Sequence, residues 1–89
     1  MEMNQRVYSV VHSVLGHANR LSIDMITSEK SLVGDLEADS LDLLEIMLAC
    51  EKEFQISIKV NEVVGRIQTV NDIICYLKEE LQEVHELTV

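Results

Sequence analysis

The sequence predicts an all-α fold: a bundle of four helices with a long first loop and a short third helix. Three observations carry that expectation. Apolar residues recur at i, i+3, i+4 and i+7 in separate stretches, as one face of an α-helix requires. The alternating run at 55–60 (QISIKV) has no second strand to pair with, and a lone strand is not stable. Apolar residues make up 47% of the chain but aromatics only 3%, so the core must be aliphatic. With 89 residues the chain is expected to be one domain, 1–89, with a thin core and little stability to spare.

The elements follow in order. Residues 3–15 place Met3, Val7, Val10, Val11, Val14 and Leu15 on one helical face, with Asn4, Gln5, Ser9, His12 and Ser13 on the other. Gly16 marks the expected end of this first helix. Residues 17–38 hold no sustained period, and a loop this long is unusual unless it is functional or self-packed. Its apolar residues begin with Leu21, Ile23, Met25 and Ile26, where a short helical turn over 21–27 fits. Leu32 and Leu36 then read as anchors across the helices.

Asp39 reads as the N-cap of the second helix, and Asp42 adds a first-turn charge that the helix dipole favours. Ser40 falls at the first helical position, and the helix runs through Phe54, about four turns. Residues 55–60 are expected to be a loop with buried isoleucines. Residues 61–67 form the short third helix, with Asn61 as candidate cap and Gly65 as a weakness. Thr69 and Asp72 make a Thr-x-x-acid cap, a relative of the capping box. The last helix then lines up Val70, Ile73, Ile74, Leu77, Leu81 and Val84, with Lys78, Glu79, Glu80 and Glu83 mostly off that face. Residues 85–89 are expected to fray.

Charge narrows the function. Sixteen acids against seven bases give a net charge of -9, which speaks against nucleic acid and against an anionic membrane surface. No stretch is long and apolar enough for a signal peptide or a stable membrane insertion. Cys50 and Cys75 match no CxxC spacing and read as reduced, buried thiols of a cytoplasmic protein. The acids cluster: Asp35, Glu37, Asp39, Asp42, Glu45, Glu51 and Glu53 stand against one base, Lys52. Such clustering describes a docking face for partners with basic patches, reached by electrostatic steering that salt weakens.

At the head of that acidic helix stands Ser40. A hydrolytic serine needs a base, an orienting acid and an oxyanion hole, and a nucleophile elbow needs Gly two residues before and after. Here those positions are Ala38 and Asp42, and none of His12, His17 and His85 is placed near Ser40 by sequence, so the chain is not expected to be an enzyme. Asp35, Glu37 and Asp39 take the first alternating positions of an EF-hand loop, but Ser40 replaces its Gly and Ile46 its terminal Glu. No His/Cys cluster suggests zinc, and no metal site is expected. A third reading makes Ser40 an attachment point. A hydroxyl in the first turn of a helix is accessible, the dipole favours a phosphodiester there, and a modifying enzyme supplies the base. On Ser40 alone the plainer reading, a good helix-start residue, prevails.

The surrounding residues decide. The stretch LEADSLDLLEIMLACEKEF resembles the acyl carrier protein signature, in which an Asp-Ser-Leu triplet opens the second helix. Upstream SLVGDL, downstream FQISI and the later TVNDIICYL are similar to the same family, while about the first thirty residues match only in helical pattern. The resemblance implies that Ser40 carries 4′-phosphopantetheine, donated by coenzyme A through a phosphopantetheinyl transferase that Asp39 helps to engage. The arm's thiol would hold acyl groups as thioesters for enzymes of fatty-acid, lipid or polyketide-type synthesis, and the carrier, a monomer, would perform no chemistry itself. Peptidyl or aminoacyl carriers share the fold, but Leu41 and the acidity favour an acyl cargo. The rival from another class is a carrier-like interaction module that is never modified.

Within the second helix, Leu43, Met47, Cys50 and Phe54 form an apolar stripe flanked by Leu44 and Ile46, which is assigned to the core. Leu41 and Leu48 lie to one side, near Glu45 and Lys52. Two readings fit them: an extension of the core, or a semi-exposed edge that contacts partners together with Asp42, Glu45 and Lys52. The resemblance favours partner contact. It also implies an acyl-chain cavity lined by Leu44, Met47, Ile58 and Ile67, residues that by type alone are plain packing. Glu51 falls at the same helical angle as Leu44, either near the end of such a cavity or snorkelling outward.

Three departures mark the chain. Glu37 stands where the family usually has Gly, so the loop is expected to avoid positive φ there. Lys52 interrupts the acidic face and should alter which partner docks. The third helix has one acid, Glu62, and lacks the usual Pro and acid-rich start after Ile58. Together they point to a specialised carrier rather than the main fatty-acid one.

Overall fold

The computed structural model describes the backbone of residues 3–19 and 22–88 and the side chains of 3–16 and 22–81. Among the described residues there are four α-helices: α1 (Met3–Asn19), α2 (Ser40–Phe54), α3 (Val60–Val63) and α4 (Val70–Thr88). The expected all-α bundle, with a long first loop and a short third helix, is what forms. A 3-10 turn at Ile23–Met25 breaks the long loop, within the span where a helical turn was expected. A second, Val64–Arg66, extends α3.

The helices meet along the predicted faces. α1 lies against both α2 and α4, and α3 lies against α2. Val7, Val11 and Leu15 of α1, Ile46, Met47 and Cys50 of α2, and Val70, Ile73 and Leu77 of α4 are almost fully buried in one cluster. Leu32 and Leu36 enter it from the loop, as their anchoring role requires. The residues buried are aliphatic apart from Cys50 and Phe54, with Tyr8 and Tyr76 packed at the edge.

Four expectations are corrected. α1 does not stop at Gly16 but continues to Asn19. An interior glycine costs a helix only about 1 kcal/mol against alanine, and a Cβ at Gly16 would stand 3.0 Å from His12 Nε2. α3 begins at Val60 after Lys59, which gives no side-chain cap, so Asn61 lies inside the helix rather than capping it. Cys50 is buried but Cys75 is exposed, because it follows Ile73 and Ile74 onto the far side of α4. Leu44 is half-buried and stands outside the core cluster, so the core stripe of α2 is flanked on one side only, by Ile46. Burial, and after it the Glu53 carboxylate, push the Cys50 thiol up to about 12, so that thiol is inert. Leu21 and the side chains of His17, Val84 and His85 lie outside the described residues; of the stretch 85–89, expected to fray, the backbone is helical to Thr88 and residue 89 lies outside the described residues.

The long first loop is tied to the start of α4. Ser31 and Thr69 form an isolated antiparallel bridge. Leu32 N donates to Gln68 O at 2.9 Å, Val70 N to Lys30 O at 3.1 Å and Asn71 N to Ser28 O at 2.8 Å. These bonds satisfy one loop amide and two first-turn amides of α4 that have no partner within the helix. They tie the loop to the start of α4 ahead of Ser40.

Candidate functional site

The approach to α2 is a folded turn. Asp35 N and Leu36 N both donate to Ser31 O at 3.0 Å, and Asp35 Oδ2 accepts from Ser31 N at 2.8 Å. Ala38 N then donates to Leu32 O at 2.8 Å. Leu36 and Ala38 are buried, so the residues between and after them, Glu37 and Asp39, face outward. Bringing both neighbours inward bends the chain at Glu37, whose φ is 58. The expectation that the loop avoids positive φ here is therefore wrong. The left-handed conformation is available to a residue with a Cβ at a cost of about 1–2 kcal/mol, and the bonds on either side impose it.

Asp39 caps α2 as predicted. Its Oδ1 accepts from Asp42 N at 2.9 Å, and Asp42 Oδ2 accepts in return from Asp39 N at 3.1 Å. This complete capping box gives Asp42 a structural duty beside any contact with partners. Ser40 follows at the first helical position. It is exposed, and its hydroxyl has no hydrogen-bond partner among the described residues. What the arrangement offers is a fixed, accessible hydroxyl at the positive end of a four-turn helix.

Beyond Ser40 the exposed residues of α2 are a stripe of four and, beside its end, Glu53. Leu41, Glu45, Leu48 and Lys52 recur at i, i+4, i+7 and i+11, and all four are exposed. Leu41 is 67% and Leu48 46% exposed, which rules out the reading in which they extend the core. Asp35, Glu37, Asp39 and Glu45 are exposed around and along the same end. Among the described residues no group of three or more His, Cys, Asp or Glu is arranged to hold a metal ion.

The four residues named for an acyl cavity divide. Met47, Ile58 and Ile67 are buried together in the core cluster, whereas Leu44 is not brought into it. Glu51 has a definite task. Its Oε2 accepts from Ile58 N at 2.7 Å, and its carbonyl accepts from Ile56 N at 3.2 Å, holding the loop after α2 against the helix. Gln55 turns the chain there with φ 55 and ψ 49, a left-handed C-cap whose N–H also donates to Glu51 O.

One cluster was not anticipated. Arg6 of α1 donates from Nε to Glu53 Oε2 at 3.0 Å and from Nη2 to Glu53 O at 2.9 Å. Its guanidinium also lies 4.3 Å from the Phe54 ring centroid. Arg6 and Glu53 are 47 positions apart, and no local pattern joins them.

Residues 5–77 match the sequence family described as "Phosphopantetheine attachment site". Over 82 residues the chain is 33% identical to an "Acyl carrier protein" of Thermotoga maritima, covering 91% of this chain and 99% of that protein. Over 78 residues it is 31% identical to an "Acyl carrier protein" of a Picosynechococcus species, covering 88% of this chain and 95% of that one.

Proposed function

We propose, since the chain belongs to the acyl carrier protein family, that Ser40 is the residue that bears its 4′-phosphopantetheine. Members of that family are carriers rather than enzymes, and phosphopantetheine is their cofactor. The observation that carries the assignment to Ser40 is its place: an exposed, unengaged hydroxyl at the first position of a capped helix. The residues fit the group. No side chain has to move to free the hydroxyl, and the first turn of α2 presents the positive end of its dipole to a phosphodiester. When attached, the arm supplies a terminal thiol that carries acyl groups as thioesters.

The chain's own residues hold and present that arm. Asp39 and Asp42 fix the helix start, and Asp39 stands beside the hydroxyl where a transferase must approach. Leu41, Glu45, Leu48 and Lys52 form the edge read by the transferase and by acyl-handling enzymes. Asp42 adds charge there. Met47, Ile58 and Ile67, with Leu44 at the margin, would have to part to admit an acyl chain. The carrier would act as one domain in the cytoplasm, and among the described residues no helix is long and apolar enough to cross a membrane. Its cargo belongs to a specialised lipid, fatty-acid or polyketide-type synthesis, consistent with Lys52 on the docking edge and Glu62 as the lone acid of α3.

The test is intact mass after incubation with coenzyme A, magnesium and a transferase of broad specificity. A gain of one phosphopantetheine per chain is expected. No gain would leave a carrier-like interaction module in its place. Glu45→Lys is the better probe of docking than a change at Asp42, which would also remove half of a cap. It should slow modification at low salt, with the difference shrinking as salt rises.

A further inference from the structure

The docking stripe of α2 changes sign along its length, and its basic end opens into a groove. The groove lies open between α1 and α2, has a volume of about 570 Å³, and is lined by Arg6, Ser9, Val10, Ser13, Ala49, Lys52 and Glu53. Val10 and Ala49 form a small apolar floor. Above it the walls carry donors: the two hydroxyls, the Lys52 ammonium and the Arg6 guanidinium.

The acidic group in the lining, the Glu53 carboxylate, is paired through Oε2 with Arg6. Arg6 uses two of its five N–H groups on Glu53, so the rest remain available. The two bonds and the Phe54 ring also immobilise the guanidinium, which lowers the entropy lost on binding an anion. Lys52 is exposed and has no ion pair among the described residues. Arg6 and Lys52 stand against the one Glu53 carboxylate, so a chain of net charge -9 presents a donor-rich notch of net positive charge beside an otherwise acidic face.

We infer that this groove receives a carboxylate side chain of the enzymes that dock on α2. The inference rests on the reading of α2 as the docking face, and it defines the partner. The partner carries a basic patch for Glu45 and, about 10 Å further along the helix axis, an acidic side chain that enters between Arg6 and Lys52. Glu45 and Lys52 are two turns apart on one stripe, so a single surface meets both. The pairing selects partners by sign as well as by shape, because a wholly basic surface sets like charge against Lys52.

Two synthetic helical peptides test it on the phosphopantetheinylated chain at low salt. One carries three lysines and, two turns on, two glutamates; the other replaces the glutamates with glutamines. The glutamate peptide should bind about fivefold tighter, the size of an exposed charge pair. Its binding should shift the amide resonances of Ser9, Ser13, Ala49 and Lys52. Lys52→Glu should reverse the preference, and Ser13→Glu, on the opposite wall, should abolish it. Lys78→Glu, on α4 away from the groove, should leave it intact. Equal affinity of the two peptides for the wild-type chain would overturn the inference while leaving modification of Ser40 untouched. So would a preference that survives both Lys52→Glu and Ser13→Glu. Self-association of the wild-type chain that Lys52→Glu abolishes would overturn it too, by giving the groove to a second copy of this chain.

Discussion

The starts of α2 and α4 are built alike and serve different ends. Each opens with a reciprocal box: Asp39 and Asp42 exchange side-chain and backbone bonds, and so do Thr69 and Asp72, at 3.0 and 3.1 Å. The next residue separates them. Val70, at the first position of α4, is fully buried, its N–H bonded to Lys30 O and its neighbour Thr69 bridged to Ser31. Ser40, at the same position of α2, is exposed, and its hydroxyl is unengaged among the described residues. The cap chemistry therefore does not distinguish the two helices. Exposure of the first helical residue, with an acidic and apolar edge leading away from it, does.

That contrast can be broken first at Val70. Val70→Ser puts a serine behind a capping residue in both helices, but the new hydroxyl lies in the core. Loss of packing and burial of a polar group should cost about 2–4 kcal/mol and lower Tm by roughly 10 °C or more. Modification of Ser40 in chains that remain folded should proceed as before. A second phosphopantetheine on residue 70 would show that accessibility is not the discriminant.

The caps come next. Asp39→Ala and Thr69→Ala should each destabilise by about 1 kcal/mol in urea melts, with m unchanged. Only the first should also slow transfer of phosphopantetheine. A smaller and opposite effect is expected at Glu37. Glu37→Gly relieves the left-handed backbone but frees the unfolded chain, so it should raise stability by about 0.5 kcal/mol.

The smallest effect is a pH dependence. Backbone N–H groups of Gln68, then of Thr69, hold the Asp72 carboxyl below its ordinary value of 3.8. A lowered folded pKa means that this contribution is fully present above that value and is lost as pH falls through the folded one. Asp72→Asn should flatten that part of the acid limb of a stability profile, measured by circular dichroism.

What the sequence made legible was local. Periodicity placed the apolar faces of α1, α2 and α4, and the Asp39 cap with its dipole partner located the start of α2. The same periodicity left Cys75 off the α4 face, a consequence missed when its burial was judged by residue type. The remainder depended on partners far along the chain. The bridge between Ser31 and Thr69, the Glu51 hold on Ile58 and the Arg6–Glu53 pair leave no trace in a short window. Glu37 shows the limit most clearly. Its Cβ argued against positive φ, and the burial of Leu36 and Ala38 on either side overrode that preference. In the site itself, Ser40 and Asp39 were readable because a helix start is a local event. The sign change at Lys52 was visible too, but the groove it borders needed α1 alongside α2.

The most direct measurement is the mass of Ser40→Ala after treatment with coenzyme A, magnesium and the transferase, beside its helical circular dichroism. An exposed first-turn substitution should change stability by no more than about 0.5 kcal/mol. Attachment at Ser40 predicts a folded, helical chain with no gain in mass. A gain equal to that of the wild type would place the cofactor on another residue and contradict it.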